Sequence, residues 1–408
     1  MALIPPQGHL RTLAAATFAN TLGSGLWIAA DAVFLTRSVG LSAQQVGLGF
    51  SVGGLVGLAA AVPVGSLADR YDPRTVRALL QVTQAVITLG YVFVHSLTGF
   101  LVVVILDTTV ATGNLAVRAS LVAEVAGPEG RVRAFASLRA VASLGIGLGA
   151  ALAAVALAVD TRPAYLTLVA VDAMTFAVSA GLIMRLPSFT PPRRAVEPRR
   201  AEALRDRPFV AVTVATSVMS MGRVVLSLAV PIWIVAHTSS PRAVVSAVVV
   251  INTLCSVLLS VRLSRGAETA GPAGSQVRTS GLILAAGMVI FSFASGLPTV
   301  PAVLVLLAAA LVFAIGELLN SNATSGLSYA LSNPVLMGQY QGVGTLGTGV
   351  AETVGPLFLT SVLLSGGRLG WWIVGLMFAV TGAVVPLLTA WAVRSQAGRS
   401  PERHIPPG

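Results

Sequence analysis

Lysine is missing from this chain altogether, so all 26 of its basic side chains are arginines. Only 10% of the 408 residues are charged, and a single cysteine, Cys255, stands inside an apolar run. Each shortage excludes something. One cysteine leaves no disulfide framework. A soluble core of this length needs a much larger charged surface than these side chains supply, and 55% of residues are hydrophobic, with a mean hydropathy of +0.85. No Walker loop is present, so ATP does not drive the protein directly. His9, His95, His237 and His404 are scattered over loops and termini without metal-ligand spacing. No nucleophile constellation marks an enzyme, and no cofactor is implied. The first apolar run begins near Arg11 with no small-residue cleavage pattern, as expected of an uncleaved first helix.

What the chain has instead is a series of apolar runs of about 20 residues, the length that crosses a bilayer as a helix. The alternating ten-residue segments of a membrane barrel are not seen. Twelve spans are predicted, near 12–36, 43–64, 78–96, 98–118, 134–159, 163–185, 208–236, 242–263, 279–297, 299–320, 338–364 and 370–393. The one long polar connection, 187–207, divides them into six and six. Residues 1–186 and 208–408 are therefore expected to form two six-helix bundles of an all-α membrane protein.

The net charge of +11 invites a nucleic-acid partner, but the arginines are spread over loops and make no basic face. Membrane orientation explains them. With the N-terminus inside, twenty fall on inner segments: Arg11, Arg70, Arg74, Arg77, Arg131, Arg133, Arg139, Arg185, Arg193, Arg194, Arg199, Arg200, Arg205, Arg207, Arg262, Arg265, Arg278, Arg394, Arg399 and Arg403. Only Arg37, Arg162, Arg242 and Arg368 fall outside. Both termini and the central connection are accordingly expected in the cytoplasm.

The connection Gly65-Ser-Leu-Ala-Asp69-Arg70-Tyr-Asp72-Pro-Arg74-Thr-Val-Arg77 concentrates five charges between two apolar runs. Its spacing, Gly-x-Leu-Ala-Asp-Arg-x-x-x-Arg, resembles the loop between the second and third helices of major facilitator superfamily transporters. Gly338-Gln-Tyr-Gln-Gly342 likewise resembles a Gly-Arg-Tyr-Gln-Gly-like sequence of bacterial facilitator exporters, with Gln339 in place of the arginine. The resemblance implies two bundles around a central cavity lined by helices 1, 4, 7 and 10. It also implies that Gly65, Asp69, Arg70, Arg74, Arg118 and Arg139 form a cytoplasmic switch, with Glu124 beside them. Interfacial anchoring is the plainer role for each single arginine. The halves repeat weakly: Leu121–Pro128 aligns with Leu327–Pro334, and Gly145-Ile-Gly147 with Gly347-Thr-Gly349. The second copy of the charged loop, Leu263-Ser-Arg265-Gly-Ala-Glu268, lacks the aspartate.

Charges inside spans cost about 2.5–3.5 kcal/mol each at the bilayer centre and persist where paired, wetted or useful. Asp31, Asp107, Arg223 and Glu317 fall on helices 1, 4, 7 and 10, and Glu352 on helix 11. These five are the candidates for a substrate and proton cavity, with Asp31 or Asp107 as proton carrier or cation site, Arg223 as counter-charge, and Glu317 as an inner gate or a member of a structural network. The bland alternative is fixed ion pairs or helix caps, Asp31 with nearby Arg37 being one. Asp172 is a weaker candidate, because helix 6 is peripheral in the superfamily. Three departures weaken proton antiport: Asp72-Pro73-Arg74 replaces a Gly-Arg-Arg-like continuation, helix 4 has no arginine near Asp107-Thr-Thr109, and helix 5 reads Gly145-Ile-Gly-Leu-Gly149 without proline.

Some motifs are set aside. Gly342-Val-Gly-Thr-Leu-Gly347 matches a dinucleotide fingerprint without its βαβ unit and is better read as a packing face. Asn322-Ala-Thr324 is a sequon on the cytoplasmic side. Trp371-Trp372 fits an interfacial anchor. The expectation is a bacterial inner-membrane secondary transporter, monomeric, exporting an amphiphilic drug or secondary metabolite in exchange for protons. An importer or uniporter of a small solute, and a non-transporting sensor that kept the fold, are the alternatives.

Overall fold

The computed structural model describes residues 8–189, 202–241 and 243–397. Residues 190–201, with Arg193, Arg194, Arg199 and Arg200, lie outside the described residues, as do Arg242, Arg399, Arg403 and His404. Among the described residues, eleven helices are long and apolar enough to cross a membrane: α1 His9–Ser38, α2 Gln44–Arg70, α3 Pro73–Phe93, α4 Leu97–Gly127, α5 Gly130–Val159, α6 Arg162–Ile183, α7 Arg207–Ile234, α9 Ala270–Phe293, α10 Thr299–Leu331, α11 Pro334–Leu363 and α12 Gly366–Gln396. Between α7 and α9 lies α8, Ala243–Leu263, whose stretch Ala247–Leu263 is apolar, completing the expected twelve.

Local chemistry sets the ends. Ser42 opens α2 with a capping box, exchanging hydrogen bonds with Gln45. Asp72 caps α3 by accepting from the Arg74 N–H at 3.0 Å, with Pro73 in the first turn, where its missing N–H costs nothing. Gly127 (φ 66°) and Gly367 (φ 52°) sit in the left-handed region that separates α4 from α5 and α11 from α12. The first helix of each half contains one π-helical turn, Phe34–Ser38 in α1 and Val225–Ala229 in α7.

The helices overrun their apolar stretches. α3 begins at Pro73 and α9 at Ala270, while α4 reaches Gly127 and α10 reaches Leu331, each several residues past the hydropathy boundary. All four extensions are at the end where residues 184–189 and 202–206 lie, called the linker end below. Hydropathy marks where lipid stops, whereas backbone hydrogen bonding carries a helix on into water.

α1–α6 pack chiefly on one another and α7–α12 on one another, giving two six-helix bundles. Trp27, Phe34, Tyr91 and Tyr165 centre one core of the first bundle. In the second, Trp233, Phe291, Phe313, Trp371 and Phe378 form a chain of ring contacts. Trp371 is fully buried there, so it is a core residue and not an interfacial anchor; its neighbour Trp372 is 44% exposed. Val62 and Val132 of the first bundle insert into the second bundle's core.

Candidate functional site

Every hydrogen bond described between the bundles lies toward the linker end. Asp69 reaches from the end of α2 to the first turn of α11, where the N–H groups of Gly338 and Gln339 donate to its two carboxylate oxygens at 2.5 and 2.9 Å. A carboxylate on a helix N-terminus satisfies free N–H groups and meets the positive end of the helix dipole. The approach is possible because Gly65 has no side chain: a Cβ there would stand 2.5 Å from the Gly338 carbonyl oxygen. The Tyr329 hydroxyl on α10 donates to the Ala119 carbonyl on α4 at 3.2 Å. Ser143 on α5 and Ser256 on α8 share a hydrogen bond of 3.0 Å. On the opposite side of this surface, Glu268 places its carboxylate against the backbone N–H groups of Val132 and Arg133, in the first turn of α5. Burial pushes its carboxyl above the ordinary glutamate value, while those N–H groups and Arg133 pull it back.

Deeper in, four charges form a chain. Arg139 on α5 donates from one guanidinium nitrogen to both oxygens of Glu317 on α10, at 2.8 and 2.7 Å, and also contacts Ser321. Glu317 lies 3.9 Å from Arg223 on α7, and Arg223 pairs with Glu352 on α11 at 2.6 Å. The two ends differ in exposure: the side chains of Arg139 and Glu317 are 19% and 7% exposed, those of Arg223 and Glu352 51% and 39%. α2 also meets α11 where Leu58 packs on Gly349, and α5 meets α8 at Ser143 and Ser256. Arg223 and Glu352 form the half-exposed end of the chain, on its side away from the linker end. Below them, Thr213, Thr216 and Ser217 of α7 line a small hydroxyl-rich pocket with Thr324, Ser328 and Thr348.

The sequence placed Asp31, Asp107, Arg223, Glu317 and Glu352 in one cavity. The structure separates them. Asp107 is turned into the first bundle, where Gln84 and Tyr91 of α3 donate to it, Tyr91 at 3.4 Å. Asp31 shares its helix face with buried Trp27, Phe34 and Leu35 and is close enough to act electrostatically on Asp107. Asp172, 2% exposed, completes this group. The reason is helix phase: the face of α4 bearing Asp107 also carries Phe100 and Val104, which are buried in the bundle core. Arg37 pairs with Asp160, at the turn between α5 and α6, and not with Asp31. The Tyr165 hydroxyl at 2.6 Å, with Arg37, holds the Asp160 carboxyl below the ordinary aspartate value.

The switch residues are also redistributed. Arg74 is bound by Asp72 at 3.1 Å and by the Leu186 carbonyl oxygen at 2.8 Å, securing the end of α6. Arg70 is exposed, and among the described residues neither it nor Arg118 forms an ion pair. Arg139 does cross between bundles, but to Glu317. Sequence reasoning missed Glu268, because only its position beside α5 gives it a role. It also underrated Asp172, because a peripheral helix still presents one face to its own bundle.

This architecture is that of a two-bundle membrane transporter. A sequence profile of the Major Facilitator Superfamily matches residues 13–264, and the chain belongs to that superfamily. Among solved structures, a bacterial homologue of the iron transporter ferroportin in its outward-facing state aligns over 95% of this chain and 100% of its own, with a TM-score of 0.76 and 15% identity. The human organic anion transporter MFSD10 (TETRAN) aligns over 93% and 100%, with a TM-score of 0.70 and 16% identity. The E. coli fucose:proton symporter FucP aligns over 94% and 98%, with a TM-score of 0.67 and 15% identity. No curated protein matches the sequence.

Proposed function

We propose that this chain is a bacterial inner-membrane transporter that exports an amphiphilic small molecule in exchange for protons. Its halves, 1–186 and 208–408, move as rigid bundles about the linker 187–207, with both termini cytoplasmic. The observation that carries the reading is the charge chain Arg139–Glu317–Arg223–Glu352, closed between bundles at one end and half-exposed at the other. A substrate arriving on the half-exposed side meets Arg223 and Glu352 first. Competition for Arg223 weakens its hold on Glu317, and Glu317 is the partner that ties the bundles together through Arg139. Ligand binding is thereby coupled to the contact between the bundles. The linker end is the cytoplasmic one on the arginine distribution, so the half-exposed side faces outward. A membrane potential supplies about 2.3 kcal/mol per charge per 100 mV to drive exchange.

The test is expression in an efflux-deficient bacterial host challenged with a broad panel of amphiphilic compounds. Wild type is expected to lower susceptibility to at least one, and Arg223→Gln and Glu317→Gln to restore it at equal membrane abundance. Unchanged susceptibility across the panel would sink export. Substrate-induced pH change in proteoliposomes tests the exchange for protons.

A further inference from the structure

The buried face of α3 is polar along its length. Arg77, Gln81, Gln84, Thr88 and Tyr91 recur every three or four residues, and each is at most 4% exposed. Its counterpart in the second bundle, α9, buries Val277, Leu284, Met288 and Phe291 on the corresponding face. The fold can thus fill this layer with apolar side chains, and the first bundle does not.

Many of these polar groups lack partners. Among the described residues, both amide atoms of Gln81, the Oε1 of Gln84, the Nε of Arg77, the Oδ1 of Asn114 on α4 and the hydroxyl of Ser179 on α6 are buried without a hydrogen bond. Asp172 has an unpartnered Oδ1, aimed at α1: a Cβ at Gly23 would stand 2.5 Å from it. Leaving each such atom dry costs on the order of 1–3 kcal/mol. Neighbouring buried polar groups with no protein partner are the setting in which internal water is held.

The file has different ends. Gln84 and Tyr91 bind Asp107, which interacts with Asp172 and with part-exposed Asp31. About 10 Å along α3, seven residues at the helical rise, stands Arg77, with Arg118 of α4 close enough to repel it. We propose that the first bundle encloses a proton-binding site, Asp107 with Asp172, joined by a file of internal water to an arginine plug at Arg77. The proton enters past Asp31, from the end away from the linker. Among the described residues, no basic side chain forms an ion pair with Asp107 or Asp172, so an added proton is the charge that balances them. Fixed positive charge at Arg77 and Arg118 stops the proton short of the linker end, as arginines do in other water-filled pores. This deepens the proton-exchange part of the reading above and rests on it, but it is tested without substrate.

Purified full-length protein is reconstituted in liposomes with a trapped pH indicator, and proton equilibration is followed after a pH step under a potassium–valinomycin clamp. Arg77→Gln is expected to raise proton conductance at least about tenfold. Arg77→Lys, keeping the charge, stays near wild type. Adding Asp172→Asn or Gln81→Leu to Arg77→Gln returns the conductance to wild-type level. A folded Arg77→Gln protein as tight as wild type overturns the proposal, as does a leak that survives both second substitutions. If Arg77→Gln does not fold, Gln81→Leu alone decides through hydrogen–deuterium exchange of the buried carboxyl groups, read by infrared spectroscopy. Exchange slowed at least about tenfold, with thermal stability unchanged or raised, supports the water file. Unchanged exchange, or lost stability, overturns it. Tight vesicles beside intact drug export would remove the plug and leave the transporter reading standing.

Discussion

Asp69 and Glu268 do the same job from opposite bundles. Asp69 stands in the last turn of α2 and Glu268 in the connection after α8, the second helix of its half, and each sets a carboxylate on the start of a helix in the other half, α11 for Asp69 and α5 for Glu268. They differ in fit. Asp69 is 5% exposed, and both its oxygens receive a backbone N–H. Glu268 is half-buried, and its Oε2 has no hydrogen-bond partner among the described residues. The comparison teaches that the repeated element is a charge on a helix end, not a residue type at a fixed spacing. It also predicts unequal strength: the first dock gains from its charge, while the second gives back in desolvation much of what the α5 dipole supplies.

The largest effect is expected where both docks are left without the contact between them. Arg139→Ala strands Glu317 as a buried acid facing Arg223 alone, and breaking one side of a buried pair costs about 3–5 kcal/mol. Thermal unfolding in detergent reads the loss. Reversing the pair, Arg139→Glu with Glu317→Arg, should recover part of it. If Arg139→Ala unfolds at the wild-type temperature, the docks alone hold the linker end closed and the charge chain is not the tie between bundles.

Asp69→Asn is expected to come next. The amide keeps one acceptor but turns an NH2 toward two N–H donors and removes the negative charge from α11. The closed form should lose about 1–3 kcal/mol, close to a tenfold population shift for every 1.4 kcal/mol. Spin labels at Glu124 and Val335, in a Cys255→Ser background, would report longer linker-end distances. Equal distance distributions for wild type and variant would show that the α11 contact does not set the closed state.

The fold was legible because two of its signals are physical necessities. A polytopic chain must spend about 20 apolar residues per crossing, and arginine must stay near water, which marks the loops. Gly65 and Asp69 stood out by their spacing, but the dock itself did not: the expected partners of Asp69 were arginines, and the structure gives it the N–H groups of Gly338 and Gln339. The interior of the first bundle was not legible either. Hydropathy shows that Asp107 lies in a span but not which way that span is turned. Its phase is set by Phe100 and Val104, whose burial depends on α2 and α3. Asp172 was underrated for the same reason. Glu268 is invisible in sequence for another reason: its partners, Val132 and Arg133, offer backbone N–H groups, which any residue except proline presents.

The smallest predicted effect separates the two docks most clearly. Glu268→Gln mimics the protonated side chain, so it removes the desolvation cost together with the dipole gain, and stability should stay within about 0.5 kcal/mol of wild type. The pH dependence has a definite sign. Burial raises the Glu268 carboxyl in the folded protein, so the docked form binds its proton more readily than the undocked or unfolded chain. Its contribution is then greatest at low pH. It declines as pH climbs from the ordinary glutamate value through the raised one, and levels off above. Wild type minus Glu268→Gln, followed by thermal unfolding across that window, should show this decline, while Asp69→Asn minus the Asp69→Asn/Glu268→Gln double variant should show the same curve. A difference that grows with pH instead would mean that Glu268 is held as a charged cap on α5, making the docks equivalent after all.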